Sequence, residues 1–160
     1  MRIRLDPERV EPFVWEETQA FPEELVDSSL LRRCGPIVCR GRLQYATPVF
    51  RLQVELSYQQ VLVCTRCLQP TTQEKKSDFD VVLMIRAAGV EASSPAEVEV
   101  DADELSVIRV DGEDFETMPL VTEHIQLQLP MKPLCREDCL GLCPLCGADR
   151  NRTPDCCSET

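Results

Sequence analysis

The sequence holds a single histidine and a single tryptophan, and its seventeen basic residues are outnumbered by twenty-eight acidic ones. Each shortage excludes something. The histidine, His124, falls among polar neighbours in a helical stretch, with no carboxylate or thiol partner at catalytic spacing. Acid–base catalysis of the kind that uses histidine is therefore not expected. The tryptophan, Trp15, reads as a core or edge packing residue rather than a stacking platform for bases. A net charge of −11 argues against a protein that coats nucleic acid by bulk electrostatics. It leaves room for a local basic patch, or for a basic protein partner. No apolar run at the start has signal-peptide length, and no later run is long enough to span a membrane. A reducing, cytoplasmic location follows from this reading. There, clustered cysteines bind metal more often than they form disulfides.

Cysteine is abundant instead, at ten residues. Cys135, Cys139, Cys143 and Cys146 fall within one short stretch, Cys156 and Cys157 follow, and Cys64-Thr65-Arg66-Cys67 lies far upstream. Two residues between cysteines let both sulfurs turn onto one tetrahedral ion. Cys143-Pro144-Leu145-Cys146-Gly147 has this form, and Gly147 can take the positive φ that such a turn needs. Cys64, Cys67, Cys135, Cys139, Cys143, Cys146, Cys156 and Cys157 are thus candidate zinc ligands. Cys34 and Cys39 lack a partner at ligand spacing and read as small apolar residues.

Along the chain, Phe13-Val14-Trp15 suggests a short strand and residues 22–27 a helical turn. From residue 36 the pattern alternates strictly. Ile37, Cys39, Gly41, Leu43 and Tyr45 face one way, then Leu52, Val54, Leu56 and Tyr58 after a turn at Thr47-Pro48. This predicts an antiparallel hairpin with one wet face. Cys64 and Cys67 fall at the tip of a second hairpin that returns into Phe79–Ile85, an almost continuous apolar run expected in a central strand. Residues 86–104 are small, polar and acidic, and read as a mobile acidic loop. Leu105–Val110 suggests a strand closed by Asp111-Gly112. Phe115, Met118, Val121, Ile125 and Leu129 then lie on one face of a helix, which Pro130 and Pro133 end; Pro119 fits only the first turn, which allows a start after Phe115. The expectation is an α+β fold: a mainly antiparallel β sheet or barrel-like domain over residues 1–133 with one helix packed on it. A cysteine-rich zinc-knuckle tail follows over residues 134–160. That tail has too little apolar surface to fold alone, and metal binding would supply the missing free energy.

The run Pro130-Met131-Lys132-Pro133-Leu134-Cys135-Arg136-Glu137-Asp138-Cys139-Leu140-Gly141-Leu142-Cys143-Pro144-Leu145-Cys146-Gly147-Ala148-Asp149-Arg150-Asn151, with a helix before it and Cys64-Thr65-Arg66-Cys67-Leu68 upstream, resembles the YceD family. These are the large ribosomal RNA subunit accumulation proteins. The resemblance implies a bacterial or plastid cytosolic factor needed for normal levels of large-subunit ribosomal RNA, and the family is not known for catalysis. Members often end in a Cys-x-Cys pair, whereas here Cys156 and Cys157 are adjacent.

Two partitions of the cysteines are open. In one, Cys64 and Cys67 join Cys135 and Cys139, and Cys143 and Cys146 join one or both of Cys156 and Cys157. In the other, Cys64 and Cys67 face Cys143 and Cys146 in a single ribbon-like site. Four protein ligands close a zinc site to substrate, and no Glu or His beside the cysteines is placed as a general base. The expected function is a non-catalytic factor for large-subunit biogenesis that binds pre-ribosomal RNA or a large-subunit ribosomal protein, with no small-molecule substrate and no membrane. Candidate RNA contacts are Arg40, Arg42, Arg51, Arg66, Arg150 and Arg152, since arginine matches phosphate by its fork geometry. The alternative class is a thiol redox or metal-handling protein that uses the CxxC pairs. It is disfavoured by the absence of the strand-then-helix setting that acidifies redox thiols.

Overall fold

The structure is a computed structural model and describes residues 2–22, 24, 30–86 and 106–157. The expected helical turn at residues 22–27 lies almost wholly outside the described residues, and the acidic loop does so from residue 87 onward. In chain order the strands are β1 (Arg2–Arg4), β2 (Phe13–Gln19), β3 (Leu31–Cys34), β4 (Ile37–Ala46), β5 (Val49–Val63), β6 (Pro70–Ile85), β7 (Ser106–Val110) and β8 (Asp114–Glu116). The helix α1 (Met118–Leu127) follows them.

Strands β2, β4, β5, β6 and β7 are neighbours in that order within one six-stranded sheet, with β3 pairing against β5 off this path. Strands β1 and β8 form a separate antiparallel pair in which Ile3 opposes Phe115. The larger sheet is open: its order runs from β2 to β7 without returning, so the barrel-like alternative gives way to a sheet. Two-residue periodicity dictates the centre of this sheet. Along β4 and β5 every second residue is buried, from Ile37 to Leu43 and from Phe50 to Gln60, while Arg40, Arg42, Arg51, Gln53 and Glu55 face solvent. The two strands are joined only by Thr47-Pro48, which makes them a hairpin. The apolar end of β6 buries Val81, Val82 and Leu83 in succession. It pairs in parallel with β7 from Val81↔Ser106 to Ile85↔Val110. A strand flanked on both sides and buried on both faces reads as a continuous apolar run.

The helix begins later than its apolar pattern. Phe115 belongs to β8, not to α1, because pairing with β1 holds it extended. The Thr117 carbonyl accepts from Val121 N–H, the first bond of the helix, at 3.0 Å. Pro119 then sits in the first turn, where an amide hydrogen would have no partner in any case. His124 lies 4.6 Å from the Phe79 ring, and burial holds its imidazole below the ordinary pKa while Asp78 pulls the other way.

Residue contacts divide the chain into two units. The first comprises residues 1–17, 38–56 and 77–124; the second comprises residues 18–37, 57–76 and 125–160. Within the first, Trp15 lies flat against Phe13 with ring centroids 5.4 Å apart, and Gly41 on β4 faces the same indole. Within the second, Leu31, Leu62 and Tyr58 are buried, and β3 pairs antiparallel to β5 with a register shift between Leu31 and Arg33. The second unit also contains nine of the ten cysteines, the eight candidate ligands and Cys34. Charge divides unequally. Nine basic and nine acidic residues fall in the ranges of the second unit, so the formal −11 belongs wholly to the first, with eight basic and nineteen acidic.

Candidate metal centre

Strand β5 ends at Val63 and β6 begins at Pro70, so Cys64 and Cys67 ride on the turn between two long strands. The turn is closed by two backbone bonds: Leu68 N–H donates to Cys64 O at 2.9 Å, and Cys64 N–H donates to Gln69 O at 2.9 Å. The turn at Cys143 repeats this pattern. Gly147 N–H donates to Cys143 O at 2.9 Å, and Cys143 N–H donates to Ala148 O at 2.8 Å. The residue after the second cysteine has positive φ in both turns, 59° at Leu68 and 74° at Gly147. Glycine takes that conformation freely, whereas a leucine there costs about 1–2 kcal/mol. The fold therefore carries two copies of one knuckle, and only the second has the residue that the turn favours.

Each knuckle meets a second pair of cysteines. Cys64, Cys67, Cys135 and Cys139 have sulfurs that all lie within 4.8 Å of one another, and so do Cys143, Cys146, Cys156 and Cys157. Of the two partitions open from spacing, this is the one that joins the first knuckle to Cys135 and Cys139, and both Cys156 and Cys157 enter the second set. The adjacent pair does not prevent this, because the turn spanning 154–157 lets both sulfurs reach Cys143 and Cys146. Sulfur pairs within the sets include Cys67–Cys135 at 3.7 Å, Cys143–Cys157 at 3.7 Å and Cys64–Cys139 at 3.8 Å. A tetrahedron with metal–sulfur bonds of about 2.3 Å has edges of about 3.8 Å, whereas a disulfide needs about 2.05 Å. The spacing fits one thiophilic ion per set. Cys34 and Cys39 take no part; burial pushes each of their thiols up to about 11, as inert buried cysteines require.

Electrostatics makes the same point. Burial raises the Cys64 thiol, but the backbone amides of Cys67, Cys135 and Arg66, together with the Cys67 side chain, outweigh it and bring it to about 6. The amides of Cys146 and Leu145 do this for Cys143, also to about 6. Cys139 is lowered too: burial acts against ionisation, but the Asn151 amide and the Gly141 N–H win. Cys67, Cys135, Cys156 and Cys157 move the other way. Burial and the neighbouring thiols push Cys135 up to about 12, and hydrogen bonds from Cys146 and Cys143 push Cys157 up to about 12. Four thiolates this close cannot all be charged on their own. A dication among them would let every sulfur ionise at once.

The cysteine loops are tied together by backbone and by Arg66. Thr65 N–H donates to Pro133 O at 2.9 Å, and Leu142 N–H donates to Arg66 O at 3.0 Å. Gly141, with φ 71°, passes so near that an added Cβ would stand 3.0 Å from Arg66 O. The Arg66 guanidinium donates to Glu137 O at 3.1 Å and to Cys139 O at 2.9 Å. Arg66 thus holds the loop that carries Cys135 and Cys139. Arg66→Ala is expected to cost on the order of 1–3 kcal/mol in that loop and to speed zinc loss to a chelator. Both bonds leave one nitrogen, Nη1, so Arg66→Lys, whose ammonium carries three donors at the end of a differently shaped stem, should restore part of it.

The other candidate RNA contacts are dispersed. Arg40 pairs with Glu16 at 2.7 Å and Arg51 with Asp80 at 2.6 Å, while Arg152 lies 3.9 Å from Asp149. Arg42 and Arg150 are exposed, with no carboxylate partner among the described residues. A residue that spacing alone did not single out is Asn151, whose amide reaches a sulfur of the other set. Asparagine has no ligand signature, and only the folded loop reveals what it touches.

A β-sheet protein whose hairpin tip and C-terminal loops form two four-sulfur cages, each able to hold a metal ion, is the class defined here. The chain belongs to the YceD family, described as large ribosomal RNA subunit accumulation protein YceD, whose profile matches residues 52–160. Among curated proteins it is similar to uncharacterized proteins of Mycobacterium tuberculosis and Mycobacterium bovis, 33% identical over 84 residues. The match covers 52% of this chain and 37% of those relatives, so the matched part is well under half of their length. No solved structure matches the chain. Among the described residues no helix is long and apolar enough to cross a membrane.

Proposed function

We propose that the chain is a non-catalytic, cytoplasmic factor in large ribosomal subunit biogenesis, held together by two zinc ions. Zinc would be bound by Cys64, Cys67, Cys135 and Cys139 in one site and by Cys143, Cys146, Cys156 and Cys157 in the other. The observation that carries the reading is the pair of four-sulfur sets in a chain that matches the ribosomal RNA accumulation family. Four thiolates leave no coordination position for substrate or activated water, so the ions would stabilise and shape rather than react. The tail over residues 134–160 would draw its folding free energy largely from them.

Of the two partner classes, a basic ribosomal protein is favoured over RNA. Arg40 and Arg51 are neutralised by Glu16 and Asp80, and Arg66 is engaged with backbone carbonyls. The whole net charge of −11 falls in the first unit, which suits a cationic partner. The second unit exposes Leu68, Leu140 and Leu145 on its cysteine loops and Leu127 and Met131 in the segment before them, apolar contacts of the kind that a protein interface buries. Depletion of the protein in cells should lower the large-subunit peak on a sucrose gradient, and in-cell crosslinking should recover a large-subunit protein. An unchanged gradient on depletion would refute the biogenesis role. Recovery of RNA alone would move the partner to ribosomal RNA.

A further inference from the structure

Asn151 lies in the loop between Cys146 and Cys156, the loop of the second sulfur set, yet its side chain serves the first. Its Nδ2 donates to Cys139 Sγ at 3.3 Å and to Asp149 Oδ1 at 2.7 Å. Its Oδ1 accepts from Leu140 N–H and from the Arg136 guanidinium, each at 2.9 Å. Both groups facing Oδ1 are obligate donors, so the amide can point only one way. Asp149 fixes it from behind, accepting from Asn151 N–H at 3.0 Å through the same Oδ1. Arg150 N–H donates to Gly141 O at 2.9 Å, and Leu142 bridges Asp149, so the segment 149–151 is laid along the segment that leaves Cys139.

We propose that Asn151 couples the two cysteine sets, so that closing the second around its ion raises the affinity of the first. The proposal rests on the two-ion reading above. The route is physical. The loop from Gly147 to Asp155 buries little apolar surface, and Leu145 at its entrance is 82% exposed. Beyond its few bonds to Leu140, Gly141 and Leu142, what would hold such a loop is the clamp formed by Cys143, Cys146, Cys156 and Cys157 on an ion. Only the clamped loop brings the Asn151 amide to Cys139, where an N–H donor spreads the charge of a metal-bound thiolate and orients it. Linkage makes the effect reciprocal: an ion in the first set must strengthen the second by the same factor.

The test is a zinc titration of the full-length chain against a chromophoric chelator, with the step missing in Cys64→Ser taken as the first set. Asn151→Ala is expected to weaken that step by about 10–100-fold. Cys143→Ser combined with Cys146→Ser should weaken it by a similar factor, and adding Asn151→Ala to that protein should weaken it no further. Asn151→Asp keeps the acceptor for Leu140 N–H but sets a carboxylate against the Cys139 sulfur. It should weaken the first step at least as much, since the new carboxylate faces both that sulfur and Asp149 Oδ1; hydrogen exchange of the Arg150 and Leu142 amides, kept in Asn151→Ala, separates lost coupling from a lost fold. Unchanged affinity of the first set in Asn151→Ala and Asn151→Asp would overturn the coupling alone, as would additive losses in the combined protein. Wild-type protein that takes up fewer than two ions would overturn the two-ion reading, and the coupling with it.

Discussion

Cys64→Ser protein is expected to carry about one zinc ion per chain where the wild type carries about two. Cys64 is buried at the hairpin tip and shares the first set with Cys67, Cys135 and Cys139. Serine is a poor ligand for a soft four-sulfur site, and three remaining thiols leave the ion open to water and chelators. The second set has no member in common with the first, so its ion should stay, bound more weakly if the loops are coupled as proposed. Structural zinc supplies on the order of 10 kcal/mol in small finger peptides. Losing the first ion should therefore also loosen residues 133–139, where Pro133 O and Cys139 O accept from Thr65 and Arg66 across the turn. Metal analysis by mass spectrometry gives the count, and hydrogen exchange reports the loosening. A wild-type count of one that falls to zero would mean a single shared site, and the two-set partition would be wrong.

The same residues show what could be read before the structure. Strand β5 was legible because its alternation is unbroken from Phe50 to Gln60, and a sheet with one buried face imposes that period. The cysteine turns were legible because two intervening residues nearly determine how the sulfurs can point. What eluded sequence reasoning has long-range causes. Ile3 and Phe115 oppose each other across more than a hundred residues, and three-residue strands such as Arg2–Arg4 carry too little pattern to announce themselves. Phe115 falls in phase with Met118 and Val121, so periodicity alone includes it in the helix; Pro119 points to a later start, and pairing with Ile3 fixes it. Whether the sheet closes is likewise a matter of which edges meet, and local alternation is the same in an open sheet and a barrel. Leu68 is a different case. Its left-handed backbone is dictated by the knuckle, and a leucine in that position gives no hint of it.

Within the first unit the largest single-site loss should come from Gly41. On β4 this residue occupies an inward position of a strand whose inward neighbours are Cys39 and Leu43. Where they have side chains, Gly41 has the indole of Trp15: a Cβ built there would fall inside the space of the ring carbons Cζ2, Cη2 and Cε2. Trp15 has no easy retreat, since it is 8% exposed and stacked on Phe13 at 5.4 Å. Gly41→Ala must therefore tilt the indole out of its seat or push β2 from β4, its neighbour in the sheet. Overpacking of this kind costs about 1–3 kcal/mol, and Gly41→Val should exceed it. In a chain of this size each kcal/mol lowers the melting temperature by about 2–4 °C. Trp15 is the only tryptophan, so its emission reports directly on the seat and should shift to the red as the ring gains solvent. Zinc content should be unchanged, because every candidate ligand lies in the other unit. A Gly41→Val protein that melts with the wild type and keeps its emission maximum would show that the indole does not fill the space above this glycine.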